Sequence, residues 1–108
     1  MPRKPFAHKA TLAWPGGDDR APGGAVTEEL CGAVDHEPPC PLAAHFTSTE
    51  RRDDELDVRV LVACEPVDEA LVRTRIDAAL AQRWNVLASA PDEVRADEAD
   101  HAARLAAS

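Results

Sequence analysis

The chain has 108 residues, 44% of them hydrophobic, and carries a net charge of −8 from 20 acidic against 12 basic side chains, which suits one domain around one modest core. Ten of the basic residues are arginine, and Arg3, Lys4 and Lys9 form the only basic cluster. A phosphate backbone is bound by neutralising it with a basic stripe, so neither nucleic acid nor an anionic membrane is an expected partner. No run approaches the roughly 20 apolar residues of a spanning helix, and the basic start MPRKPFAHKATLAW lacks the apolar stretch of a signal peptide. Three cysteines at no disulfide-framework spacing suit a reducing compartment, so a cytoplasmic protein is expected.

Residues 1–6 are expected to be disordered, ahead of a single α+β domain over residues 7–90. From His8 to Trp14 the chain alternates, with His8, Ala10, Leu12 and Trp14 on one side, as in a half-buried strand. PGGDDRAPGG, residues 15–24, has four glycines and two prolines and predicts a loop. Beyond it Val26, Leu30 and Val34 recur at four-residue spacing, and Glu28 and Glu29 favour the positive end of a short helix that Gly32 weakens. Pro38, Pro39 and Pro41 forbid regular structure around Cys40, because proline lacks an amide hydrogen and biases its predecessor toward extended geometry.

Ala44 to Glu50 and Leu56 to Cys64 flank the polar run Arg51 to Glu55, and the second flank puts Leu56, Val58, Val60, Val62 and Cys64 on one face, which predicts a β-hairpin with a charged tip. Pro66 then opens a helix whose buried stripe is read as Val67, Leu71, Val72, Ile76, Ala79, Leu80 and Trp84, with Asp68, Glu69, Arg73, Asp77 and Arg83 solvated. A short strand over Asn85 to Ala88 completes the order βαββαβ, the split arrangement of ferredoxin-like domains. The expected fold is therefore α+β, a small antiparallel sheet with two helices on one face. Residues 91–108 hold only Val94 and Leu105 as large apolar groups and are expected to form a solvated helix or flexible tail.

The segment Cys31 to His45, CGAVDHEPPCPLAAH, holds two of three cysteines and two of four histidines. Zinc takes four tetrahedral ligands from sulfur and nitrogen, and Cys31, His36, Cys40 and His45 supply two of each. Their spacing, C-x4-H-x3-C-x4-H, differs from the tight pairs of common zinc modules, and copper takes the same ligands. Three other readings compete: nucleophilic catalysis by Cys40 with a histidine as base, a reversible Cys31–Cys40 disulfide, and cysteines that act only as small buried hydrophobes. Cys64 continues the inward face of the hairpin and reads as structural. His8, on the side of Leu12 and Trp14, reads as a satisfied histidine at a strand end. APGGAVTEEL begins like a phosphate cradle, but Glu28 and Glu29 oppose an anion.

The function expected from these features is that of a small non-enzymatic binding or accessory domain with a structural or transferable zinc site in the Cys/His loop. The alternative is a homodimeric α+β protein with a small-molecule pocket on its sheet face, or an enzyme using Cys40 and a histidine. A protein partner, or a homodimer through an open sheet face centred on Leu61, is the expected assembly.

Overall fold

The period-two alternation that predicts strands and the four-residue spacing that predicts helices both carry over into a computed structural model, which describes residues 3–31 and 43–107. The elements run β1 (Lys4–Ala13), α1 (Ala21–Cys31), β2 (Ala44–Arg52), β3 (Glu55–Cys64), α2 (Glu69–Ala81), β4 (Val86–Asp92) and α3 (Ala99–Ala106), with 3-10 turns at Pro66–Asp68 and Ala96–Glu98. The strands form one sheet in the order β2-β3-β1-β4 with every neighbouring pair antiparallel. The fold is α+β as expected. It has three helices rather than two.

Strand alternation decides the two faces of the sheet. On the first, Phe6, Ala10 and Leu12 of β1 and Leu56, Val58, Val60, Val62 and Cys64 of β3 meet Val26 and Leu30 of α1 and Val72, Ile76 and Leu80 of α2 in one buried cluster. Gly23 explains how α1 sits so near the sheet: a Cβ there would lie 3.4 Å from the Thr47 Cβ on β2. The hairpin turns tightly at Asp53 and Asp54, where Asp53 takes a φ of 51° that a short polar side chain tolerates.

Several boundaries differ from the sequence reading. β1 starts at Lys4 and buries Phe6, so the strand reaches into the segment expected to be disordered. α1 starts at Ala21 and takes in Pro22, Gly23 and Gly24, since proline in a first helical turn loses no hydrogen bond. β4 runs through Pro91, which an edge strand accommodates. On α2 the inward stripe is Val72, Ile76, Ala79 and Leu80, whereas Val67 and Leu71 are exposed. The 3-10 turn accounts for Val67 by rotating residues 66–68 out of the α-helical phase, and Leu71 falls on the side of α2 away from Val72 and Ile76.

The third helix overturns two further expectations. α3 packs over β3 and β1, and on that second face Ala7, Leu61 and Ala63 are buried, as is Ala102 of the helix. Residues 91–107 hold a strand end and a helix that is exposed on one side and buries Ala102 on the other, and the helices lie on both faces of the sheet. Leu61 is covered by the chain's own helix and is not the centre of an open face. The helix is fastened at its base by Arg59, whose Nε and Nη2 donate to the two Glu98 oxygens at 2.7 Å each. Nη1 donates to Asp92 at 2.6 Å and Nη2 also reaches the Glu93 carbonyl at 2.8 Å. Phe46 stacks on His101 with centroids 4.6 Å apart.

Hydrogen bonds from Arg59 are the main cause that holds the Glu98 carboxyl down at about 2, from an ordinary 4.5. A carboxyl depressed in the folded state stabilises above its unfolded pKa, and that contribution is lost as pH falls through the folded value. The loss therefore falls between about pH 4.5 and pH 2. Glu69, Asp57 and Asp92, each lowered first by a hydrogen bond from a basic side chain, act in the same direction. Glu98→Gln should lower stability at neutral pH by about 2 kcal/mol and flatten the acid limb. Urea melts from pH 7 to pH 2 check this, and an acid limb as steep in the variant as in the wild type would refute it.

Candidate functional site

The second face of the sheet is covered over half its length, and the uncovered half forms a groove of about 410 Å3 beside Arg95. Cross-strand register lays out its floor in two rows. One row is Ala90 on β4, Lys9 on β1, Arg59 on β3 and Ser48 on β2. The next is Ala88, Thr11, Asp57 and Glu50 in the same strand order. Rows on one face are about 7 Å apart along the strands.

Like charges face each other in both rows: Lys9 lies opposite Arg59, and Asp57 opposite Glu50. Such pairs are unfavourable unless each charge finds a counterion. The two central groups have theirs. Arg59 is consumed by Glu98 and Asp92. Asp57 accepts from Arg52 Nη2 at 2.9 Å and from the Thr11 hydroxyl at 3.0 Å, and these bonds hold its carboxyl below the usual range. The outer groups differ. Lys9, Glu50 and Arg95 are exposed, and among the described residues none of the three donates or accepts a side-chain hydrogen bond across the groove or forms an ion pair. Lys9 acts on Asp92, Arg95 on Glu98 and Glu50 on Arg52 only at a distance.

A second polar cluster lies on the first face. His8 is buried, and Arg73 Nη1 donates to its Nδ1 at 3.1 Å and to the Ala7 carbonyl at 2.7 Å while the guanidinium stacks 4.3 Å over Phe6. Because arginine only donates, Nδ1 accepts and the ring proton sits on Nε2, which donates to Asp77 at 2.9 Å. Ser89 lies 3.0 Å from the same nitrogen, and its hydroxyl donates to the same Asp77 oxygen. Serine, histidine and aspartate are therefore together without the order of a Ser-His-Asp triad: the basic lone pair of the ring is taken by Arg73, and the Ser89 proton is directed at Asp77 instead of the imidazole. His8 is the satisfied histidine expected of it; Arg73, largely covered, is its partner rather than a solvated charge, whereas Asp77 pairs with it while its side chain stays 48% exposed.

Of the predicted metal ligands, Cys31 closes α1, but its side chain, His36 and Cys40 lie outside the described residues. His45 opens β2 with its Nδ1 3.1 Å from the Ala43 carbonyl and its Nε2 3.0 Å from the Thr27 hydroxyl. The carbonyl fixes a ring proton on Nδ1, and Nε2 faces the Thr27 hydroxyl of α1, which itself donates to the Gly23 carbonyl at 2.9 Å. Among the described residues no group of three or more His, Cys, Asp or Glu side chains converges to hold a metal ion. Cys64 is fully buried, and burial is the first cause that pushes its thiol up. No helix among the described residues is long and apolar enough to cross a membrane.

Lys9, Thr11, Ser48, Glu50 and Arg95 carried no signal as a set, because they come from three strands and a turn that only the register brings together. The Asp57–Glu50 opposition is latent in the hairpin, whose register sequence patterning already implies; the Lys9–Arg59 opposition is not, because it needs the pairing of β1 with β3. No protein-family model, curated protein or solved structure matches this chain.

Proposed function

We propose that the protein is a small binding domain that holds a small carboxylate-bearing molecule in the groove on the second sheet face. The observation that carries this reading is a pair of exposed cations at the groove, Lys9 and Arg95, that form no close ion pair among the described residues in a chain with an acidic excess. With 20 acidic residues available, an unpaired lysine facing Arg59 across two strands is a cost to the fold. A ligand carboxylate seated between Lys9 and Arg95, with the Ser48 hydroxyl as a further donor, offsets that cost. The groove volume lies in the range of small-molecule sites. Hexanoate titrated into 15N-labelled protein should shift the amides of residues 9–11, 48–50 and 88–90, and Lys9→Met should weaken its binding at least fivefold. Shifts spread over the whole surface, or binding indifferent to Lys9, would remove the proposal.

The element order and the order β2-β3-β1-β4 support reading the fold as the split ferredoxin-like arrangement with an added helix. That topology hosts many activities and lends weight to none.

A second reading keeps a zinc ion in the Cys31 to His45 segment. The bond between His45 and Thr27, one helical turn before Cys31, favours it, because the two ends of the segment meet there. A metal would meet His45 at Nε2 in place of Thr27. Purified protein should then carry close to one zinc per chain, lost in Cys31→Ser and Cys40→Ser and kept in Cys64→Ser. Protein free of zinc after purification in zinc-supplemented buffer sinks this reading and leaves the groove untouched.

A further inference from the structure

Among the described residues, charge at the groove is left without a close ion pair at two places, and the two have opposite sign. Lys9 and Arg95 mark one, Glu50 the other, and the charged groups between them, Arg59 and Asp57, are already satisfied by residues of the chain. A simple anion would meet Lys9 and Arg95 and leave Glu50 as it is, still opposite Asp57. A ligand with a cationic end would answer both oppositions at once.

We propose that the groove is built for a zwitterion whose carboxylate pairs with Lys9 and Arg95 and whose ammonium pairs with Glu50; this rests on the reading of the groove as a ligand site. Lys9 is on β1 and Glu50 on β2, two strands and one row apart, so their Cα atoms are about 12 Å from each other. Both side chains rise from the same face of the sheet and can lean toward each other, so a ligand that spans roughly 6–10 Å between its charges can meet both. An α-amino acid backbone, with its ammonium and carboxylate on one carbon, is too short for this. The fitting class is an extended amino acid with its amine several methylenes from the carboxylate, or a short peptide that offers its two termini. The floor between the poles suits such a chain. Ala88, Ala90 and the Thr11 methyl are small, and Thr11 already spends its hydroxyl proton on Asp57.

The two poles also set the selectivity. Glu50 stands beside Asp57 and therefore penalises a second carboxylate at that end, so a dicarboxylate of the same length is rejected rather than merely tolerated. Arg59 is held by four hydrogen bonds to three residues and does not swing out to pair with it.

The test compares four probes of similar length, 6-aminohexanoate, hexanoate, hexylamine and adipate, by NMR titration of the full chain. 6-Aminohexanoate should bind at least fivefold more tightly than hexanoate or hexylamine, and adipate more weakly than hexanoate. Glu50→Gln should erase the advantage of 6-aminohexanoate over hexanoate while leaving hexanoate affinity within twofold. Lys9→Met should weaken both acids and spare hexylamine. Glu50 and Lys9 are exposed, and an unchanged urea midpoint certifies that each variant is folded. Equal affinities for 6-aminohexanoate and hexanoate would overturn the zwitterion and leave the anion site standing. Absence of binding by every probe would overturn both.

Discussion

Removal of residues 93–108 should cost the protein about 3–5 kcal/mol and make it self-associate. The truncated chain loses the Glu98 carboxylate that takes two hydrogen bonds from Arg59 and the Glu93 carbonyl that takes another. Arg59, whose side chain is only 11% exposed, keeps Asp92 alone. The deletion takes these hydrogen bonds together with cover over the guanidinium, so the loss is that of the paired charges and of the apolar contacts of α3. The same deletion uncovers Leu61, Ala7 and Ala63 beside Phe46, which is already 48% exposed. Such a patch associates with its own kind. Urea denaturation and sedimentation at micromolar concentration measure the two effects. A truncated protein that keeps its midpoint and sediments like the full chain would show that α3 contributes nothing to the fold. Arg59→Ala, which keeps the helix, should fall between wild type and truncation.

That helix is also the clearest case of structure that sequence patterning hides. Patterning weighs large apolar side chains, and residues 99–106 contain one, Leu105. Burial there is carried by Ala102 on the helix and by Ala7 and Ala63 on the strands. Small side chains allow the close approach, and a close approach buries backbone and methyl groups that no periodicity of leucines reports. The hairpin was legible for the opposite reason. Val58, Val60 and Val62 alternate without interruption, and a slip of one residue would turn the whole set to the other face.

The candidate site was less legible than the fold, and for a geometric reason. Lys9, Glu50 and Arg95 look like ordinary surface charges one at a time. Their meaning comes from the groups opposite them, and opposition across β1 and β3 is a long-range pairing that requires the sheet order. Sequence proximity drew attention instead to Cys31, His36, Cys40 and His45, where local density of ligand types is high. Only His45 of these four has a described side chain, and its Nε2 is turned to Thr27.

Ile76→Ala should destabilise the protein by about 3–4 kcal/mol, whereas Leu71→Ala, on the same helix, should cost under about 1 kcal/mol. Periodicity alone places both on one buried stripe. The structure separates them: Ile76 is 0% exposed among Val72, Leu80 and the β-sheet valines, and Leu71 is 44% exposed. Removing three buried carbons leaves a cavity that close-packed neighbours on a sheet cannot fill, so the lost transfer energy and the cavity add. At Leu71 solvent takes the place of the deleted atoms and no cavity forms. Arg73, between these two positions, pins the helix phase through its bonds to His8 and the Ala7 carbonyl and through its stacking on Phe6. Those contacts direct position 73 at β1, which leaves position 71 turned outward and 72 and 76 inward. Equal losses in the two alanine variants would mean that α2 is rotated about its axis from this arrangement, and Arg73→Ala would then cost little as well.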